Sequence, residues 1–223
     1  MASTIQVDTI KDIGGNTMLS SNGSGTITGL PASAVSSGTI ATARLGSGTA
    51  SSSTFLRGDQ TYAAIAAGGI TEADTWRVTA NFAGDATPIA SNWERDDTDG
   101  YGNIGTGMSQ SSGVFTFPST GFYRVTFYHQ FSGMVSGTSS NYVGQEIQYT
   151  ADNSSYDGAT AVWGQIFQNG SYNMTTSSKI FDITDISNQK VRFTTSSAGN
   201  NVYTQTSTSK NTTYAMFTRL GDT

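Results

Sequence analysis

Cysteine is absent from the 223-residue chain, so neither disulfides nor thiolate centres support it. Charge is scarce as well: Asp, Glu, Lys and Arg make up 12% of the residues and sum to −5. Such a balance supplies no long basic groove for phosphates and argues against nucleic acid as a partner. His129 is the one histidine, which removes multi-histidine metal centres and leaves a Ser-His-Asp triad no choice of base. No apolar run approaches the ~20 residues of a membrane-spanning helix, so membrane insertion is not expected. The opening MASTIQVDTI has neither the basic nor the apolar region of a secretory signal, and the expectation is a soluble chain made in a cytosol. The Asn-x-Ser/Thr triplets at Asn22, Asn153, Asn169, Asn173 and Asn211 then read as coincidences of composition.

What replaces charge is Ser, Thr, Asn, Gln and 26 glycines. Leu, Lys and Glu are few, and the composition is that of an all-β protein with polar outer faces. Aromatic residues are unevenly spread: Phe55 and Tyr62 are the only ones before residue 70, whereas Trp76, Trp93 and Trp163 all lie beyond. A slender N-terminal part and a globular head meet near Gly68-Gly69, divided here into an attachment segment (1–25), a shaft or linker (26–70) and a head (71–223). Within the shaft Gly25-Thr-Ile27 recurs as Gly38-Thr-Ile40, with a weaker echo at Gly48-Thr49. Each such piece brings one or two apolar side chains, too few for a core in one chain. Three chains wound together would bury Ile27, Leu30, Ile40, Leu45 and Leu56.

The head is organised around Gly113–Phe131, GVFTFPSTGFYRVTFYHQF. Phe115 and Phe117 alternate with polar neighbours and Pro118–Gly121 supplies turn chemistry. Tyr123, Val125, Phe127, His129 and Phe131 then fall on one face at period two. His129 therefore belongs in the core, or on a trimer axis, with a hydrogen-bond partner. Further strands are expected at Thr75–Phe82, Asn141–Thr150, Ala161–Phe167, Ser171–Ile183, Lys190–Thr195 and Tyr214–Leu220, with Val135–Ser140 and Ser196–Asn211 as exposed tips.

The spacing of Asn103, Phe115, Gly121, Tyr123 and Phe127 resembles the signature of C1q/TNF-like heads, with Asp97, Met108 and Val125 standing where that signature has other residues. The resemblance implies an antiparallel jelly-roll sandwich that forms homotrimers. Thr54-Phe-Leu-Arg-Gly-Asp-Gln-Thr-Tyr62 is similar to a phrase that precedes the head in bacteriophage tail fibres, and Thr4–Ile10 resembles the starts of fibre-like proteins of marine phages. Together these resemblances imply a virion structural protein, a trimeric tail fibre or spike that docks on other virion proteins through its N-terminus. It would bind a host-surface glycan or other receptor without catalysis. A capsid or adaptor decoration fibre, a polysaccharide-degrading tailspike and a secreted C1q-like lectin are the alternatives, the last opposed by the missing signal peptide.

Glu94-Arg-Asp-Asp-Thr-Asp-Gly100 is the densest carboxylate cluster, and Asp96, Asp97 and Asp99 are the candidates for calcium. The plainer reading is a solvated turn. Otherwise no cofactor, metal or catalytic residue is indicated. Arg57-Gly58-Asp59 reads as a turn at the end of the shaft, not as an adhesion motif, and Gly100-Tyr-Gly-Asn-Ile-Gly105 lacks the helix and Lys-Ser/Thr of a phosphate loop. Tyr156 with Asn153, and Tyr172 with Asn169 and Asn173, are the receptor-binding candidates, rings to stack on sugars and amides to bond their hydroxyls.

Overall fold

The structure, a computed structural model, describes residues 7, 9–21, 24, 27–28, 45–64, 69–97, 99–133, 140–197 and 202–223. The expected shaft positions Leu30 and Ile40 lie outside the described residues, as does the tip at 135–139. Two compact units result, Met1–Gly68 and Gly69–Thr223.

In the first unit β1 (Thr9–Lys11), β2 (Thr17–Ser21) and β3 (Ile27–Thr28) form a small antiparallel sheet. A hairpin follows, made of β4 (Thr54–Leu56) and β5 (Tyr62–Ala64). Arg57-Gly-Asp59 is its turn: the Thr61 amide and hydroxyl donate to Asp59 Oδ1 at 3.1 and 2.7 Å, and Gln60 takes φ +62°. That is a left-handed conformation glycine would adopt without steric cost. Val7, Ile10, Ile13, Leu45, Phe55 and Leu56 are all exposed, and among the described residues this unit buries no apolar side chain.

The second unit contains β6 (Ala73–Val78), β7 (Phe82–Ala83), β8 (Trp93–Arg95), β9 (Ser109–Ser111), β10 (Val114–Thr116), β11 (Gly121–Gly133), β12 (Ser140–Thr150), β13 (Asp157–Ile166), β14 (Tyr172–Ile183), β15 (Lys190–Ser197), β16 (Val202–Thr204) and β17 (Tyr214–Gly221). Five of them run β9-β10-β15-β12-β13 in one antiparallel sheet. The facing seven-stranded sheet runs β8-β6-β17-β11-β14, with β16 and β7 continuing beyond the end of β17. This is an antiparallel jelly-roll sandwich, in which successive strands repeatedly change sheet.

β11 holds the second sheet together because both of its edges are paired, with β14 over Gly121–Ser132 on one side and with β17 and then β16 on the other. Its alternation places Tyr123, Val125, Phe127, His129 and Phe131 inside. Gly121 makes the entry possible: its φ is +140°, and a Cβ there would lie 2.6 Å from the Gly221 carbonyl oxygen.

The core is aromatic. Trp93 meets Phe115 edge-on at 5.0 Å, and Phe193 lies 5.4 Å from Phe115 and 4.7 Å from Phe127. A smaller cluster of Phe131, Val143, Ile166 and Val202 occupies one end. Two expectations change. Thr75–Phe82 is two strands rather than one, and Ser196–Asn211 is not wholly an exposed tip. Within it β16 is inside, with Val202 closing the smaller cluster and Thr204 meeting His129.

Candidate functional site

On β6 the alternation turns Asp74, Trp76 and Val78 toward the core and Thr75 and Arg77 outward. Arg77 is nonetheless 2% exposed. Its Nη1 donates to Asp96 Oδ1 at 2.7 Å and its Nε to Glu94 Oε2 at 3.2 Å, while Asn211 Nδ2 donates to Asp96 Oδ2 at 2.7 Å. Above this buried pair opens a cavity of about 540 Å³, lined by Thr75, Arg77, Asp96, Tyr101, Gly102, Ser209, Lys210 and Asn211. Donors and acceptors mix around it and its floor charges are paired, which suits a polar ligand over an ionic one.

The core side of the same strands is also ion-paired. Asp74 accepts from Trp76 Nε1 at 2.8 Å, Met108 N at 2.7 Å and Arg95 Nε at 3.2 Å. Arg95 covers the Trp76 ring at 4.9 Å and donates to the Met108 carbonyl. Glu72 receives the amides of Thr106 and Gly107. Sequence reasoning did not single out Arg77, Asp74 or Glu72: apart from the Thr75 amide and the Trp76 indole on Asp74, their partners are 17 to 35 residues away, and nothing local marks those long-range contacts.

The acidic stretch is accordingly not one solvated turn. Glu94 and Arg95 belong to β8, and both Asp96 oxygens are engaged by Arg77 and Asn211. Asp97 and Asp99 are exposed, Asp99 at φ +53°. Among the described residues no group of three His, Cys, Asp or Glu side chains is placed to hold a metal ion, so the three calcium candidates are not gathered into a site.

His129 is a core residue, 1% exposed, with Nε2 2.9 Å from Thr204 Oγ1 and its ring between those of Phe127 and Phe131. Desolvation pushes its pKa down to about 3, so the imidazole is neutral near pH 7.

The five receptor-binding candidates fall into two groups. Asn153 and Tyr156 lie in the β12–β13 turn, where Asp152 Oδ1 accepts the amides of Ser154 and Ser155 at 2.9 and 2.8 Å. Those bonds hold the Asp152 carboxyl below its usual range. Asn153 takes φ +57°, and the half-buried Tyr156 carries the Arg192 guanidinium 4.0 Å above its ring. Asn169 lies in the β13–β14 connection and Tyr172 and Asn173 open β14, where Asn173 Nδ2 donates to the Gln165 carbonyl at 3.0 Å. Between the groups runs β13, whose ten residues separate its ends by roughly 30 Å at strand rise. The candidates therefore cannot form a single pocket. Trp163 was missed, although it is 59% exposed. Its signal was available, since alternation along β13 puts it on the face opposite the buried Ile166.

The outer face of the seven-stranded sheet sets exposed apolar side chains around a polar group of Arg124, Thr126 and Ser178. Phe122, Met174, Ile180, Met216 and Leu220 are exposed there. At its centre Tyr128 and Tyr214 stack at 4.3 Å and 7°. Burial, reinforced by Tyr128, pushes the Tyr214 phenol up.

No protein-family model and no curated protein matches the chain. Among solved structures it is similar to Eiger TNF from S. frugiperda, at 10% identity and a TM-score of 0.51 over 68% of this chain and 93% of that one. Murine APRIL at pH 5.0 gives 12% identity and a TM-score of 0.49 over 67% and 98%. The likeness to the Eiger structure is one of fold, the TNF-like jelly roll.

Proposed function

We propose that this chain is a bacteriophage virion structural protein, a homotrimeric fibre or spike whose jelly-roll head binds host-surface glycan without turnover. The observation that carries the reading is apolar surface left unpartnered by a single chain, namely that on the outer face of β11, β14 and β17. Water-exposed apolar area is worth about 25 cal/mol per Å² when a partner covers it. The exposed Leu45, Phe55 and Leu56 of the first unit call for the same remedy, as a shaft of wound chains supplies. Three chains also present three copies of every head site, so weak contacts to a repetitive glycan add through effective concentration. The N-terminal segment is then free to dock on other virion proteins.

Light scattering on the full chain tests the assembly, with about 70 kDa expected for three chains of 23.4 kDa. Adsorption of labelled protein to a panel of marine bacterial cells, with and without periodate oxidation of their surface sugars, tests the role. A monomeric mass removes the trimer, and adsorption that periodate leaves untouched removes the glycan.

A further inference from the structure

The outer face of the five-stranded sheet carries a continuous set of side chains that neither the core nor the seven-stranded sheet uses. At one end Trp163 lies beside its cross-strand partner Gly144. A Cβ at Gly144 would come within 2.8 Å of the indole Nε1, so the missing side chain lets the ring settle against the sheet while remaining 59% exposed. Farther along, Gln148 Nε2 donates to Glu146 Oε2 at 3.1 Å, and Arg192 Nε donates to Gln148 Oε1 at 2.8 Å. The Arg192 guanidinium then covers Tyr156 at 4.0 Å. Glu146, Gln148 and Arg192 are thus held in one conformation before any ligand arrives.

Trp163 and Tyr156 are seven residues apart along this edge, about 23 Å at strand rise. An aromatic ring stands at each end of the strip, with a polar chain between them. The ligand chemistry follows from the charge. Glu146 and Arg192 cancel through Gln148, which favours neither an anionic nor a cationic ligand. What remains is a flat ring for an apolar face and a row of donors and acceptors for hydroxyls.

We propose that this strip is a binding track for an extended, uncharged polysaccharide strand, with Trp163 as its stacking platform and Glu146, Gln148 and Arg192 bonding the sugar hydroxyls. This rests on the glycan-binding reading above and locates it on a face that trimerisation through the opposite sheet leaves open.

Native gels cast with dextran, laminarin or galactomannan test it with the full-length chain. Retardation by at least one of the three is expected. Trp163→Ala should lower the association constant roughly tenfold or more, and Trp163→Phe should recover part of the loss. Absence of retardation in all three gels overturns the track, as does a Trp163→Ala protein retarded like the parent. If Trp163→Ala does not fold, Glu146→Ala decides: weakening of about threefold or more supports the track and unchanged retardation sinks it. Retardation through Trp163 without adsorption to cells keeps the track and loses the fibre role. Periodate-sensitive adsorption indifferent to Trp163→Ala does the reverse.

Discussion

His129 shows how a single side chain ties composition to stability. It is held neutral by desolvation, with its pKa near 3, whereas in the unfolded chain it titrates near its ordinary 6.5. Between those values the unfolded state binds the extra proton, so stability rises with pH across that window and is lost as pH falls from about 6.5 toward 3. The slope for one proton is about 1.4 kcal/mol per pH unit. Unfolding free energies of His129→Gln from urea titrations, a variant that keeps an amide to meet Thr204, should show a pH dependence between 4 and 6 that is shallower by about that amount. An unchanged slope would mean that the imidazole is protonated in the fold. Its inward placement was legible from period two in β11. Its partner was not, because Thr204 lies 75 residues on, in a stretch whose polar composition reads as loop. Asp96 has the same history: its carboxylate was visible in an acidic run, but the Arg77 that neutralises it belongs to another strand.

At the scale of elements, length decided what could be read. β11, β12, β14 and β17 each have eight or more residues, enough for alternation to declare itself. β8, β9 and β16 have three each and carry no period. β9 and β10 are joined by Ser112-Gly113, at φ +50° and +78°, the two positive values of a tight hairpin turn that matches strand twist. A Cβ on Gly113 would run into the Ile89 carbonyl. Thermal melts of Gly113→Ala should show a loss of at least ~1 kcal/mol, and Ser112→Asn, better suited to its conformation, should gain a few tenths of a kcal/mol. If Gly113→Ala melts like the parent, the turn is not what closes this hairpin.

For the whole molecule, the all-β class was readable from composition and alternation, and the sandwich was readable only through the resemblance to C1q/TNF-like heads that Gly121, Tyr123 and Phe127 help to carry. The order of strands within each sheet was not, since adjacency such as β12 beside β15 is set by long-range pairing that no local run encodes. The apolar part of the outer face emerges only from that order: Ile180 and Met216 flank β11 from strands on either side, opposite Arg124 and Thr126. Both are exposed, so Ile180→Glu with Met216→Glu should leave the melting of the head nearly unchanged while cutting the light-scattering mass to that of one chain. A trimeric mass in that variant would move the interface elsewhere.

The three tryptophans divide the molecule optically. Trp93 is sealed in the core at 8% exposure, Trp76 sits half-buried beneath Arg95, and Trp163 stands in solvent. One chain thus contains a blue-emitting chromophore shielded from aqueous quenchers and a red-edge one open to them. Unfolding and surface occupancy then become separate spectral signals from the unlabelled protein.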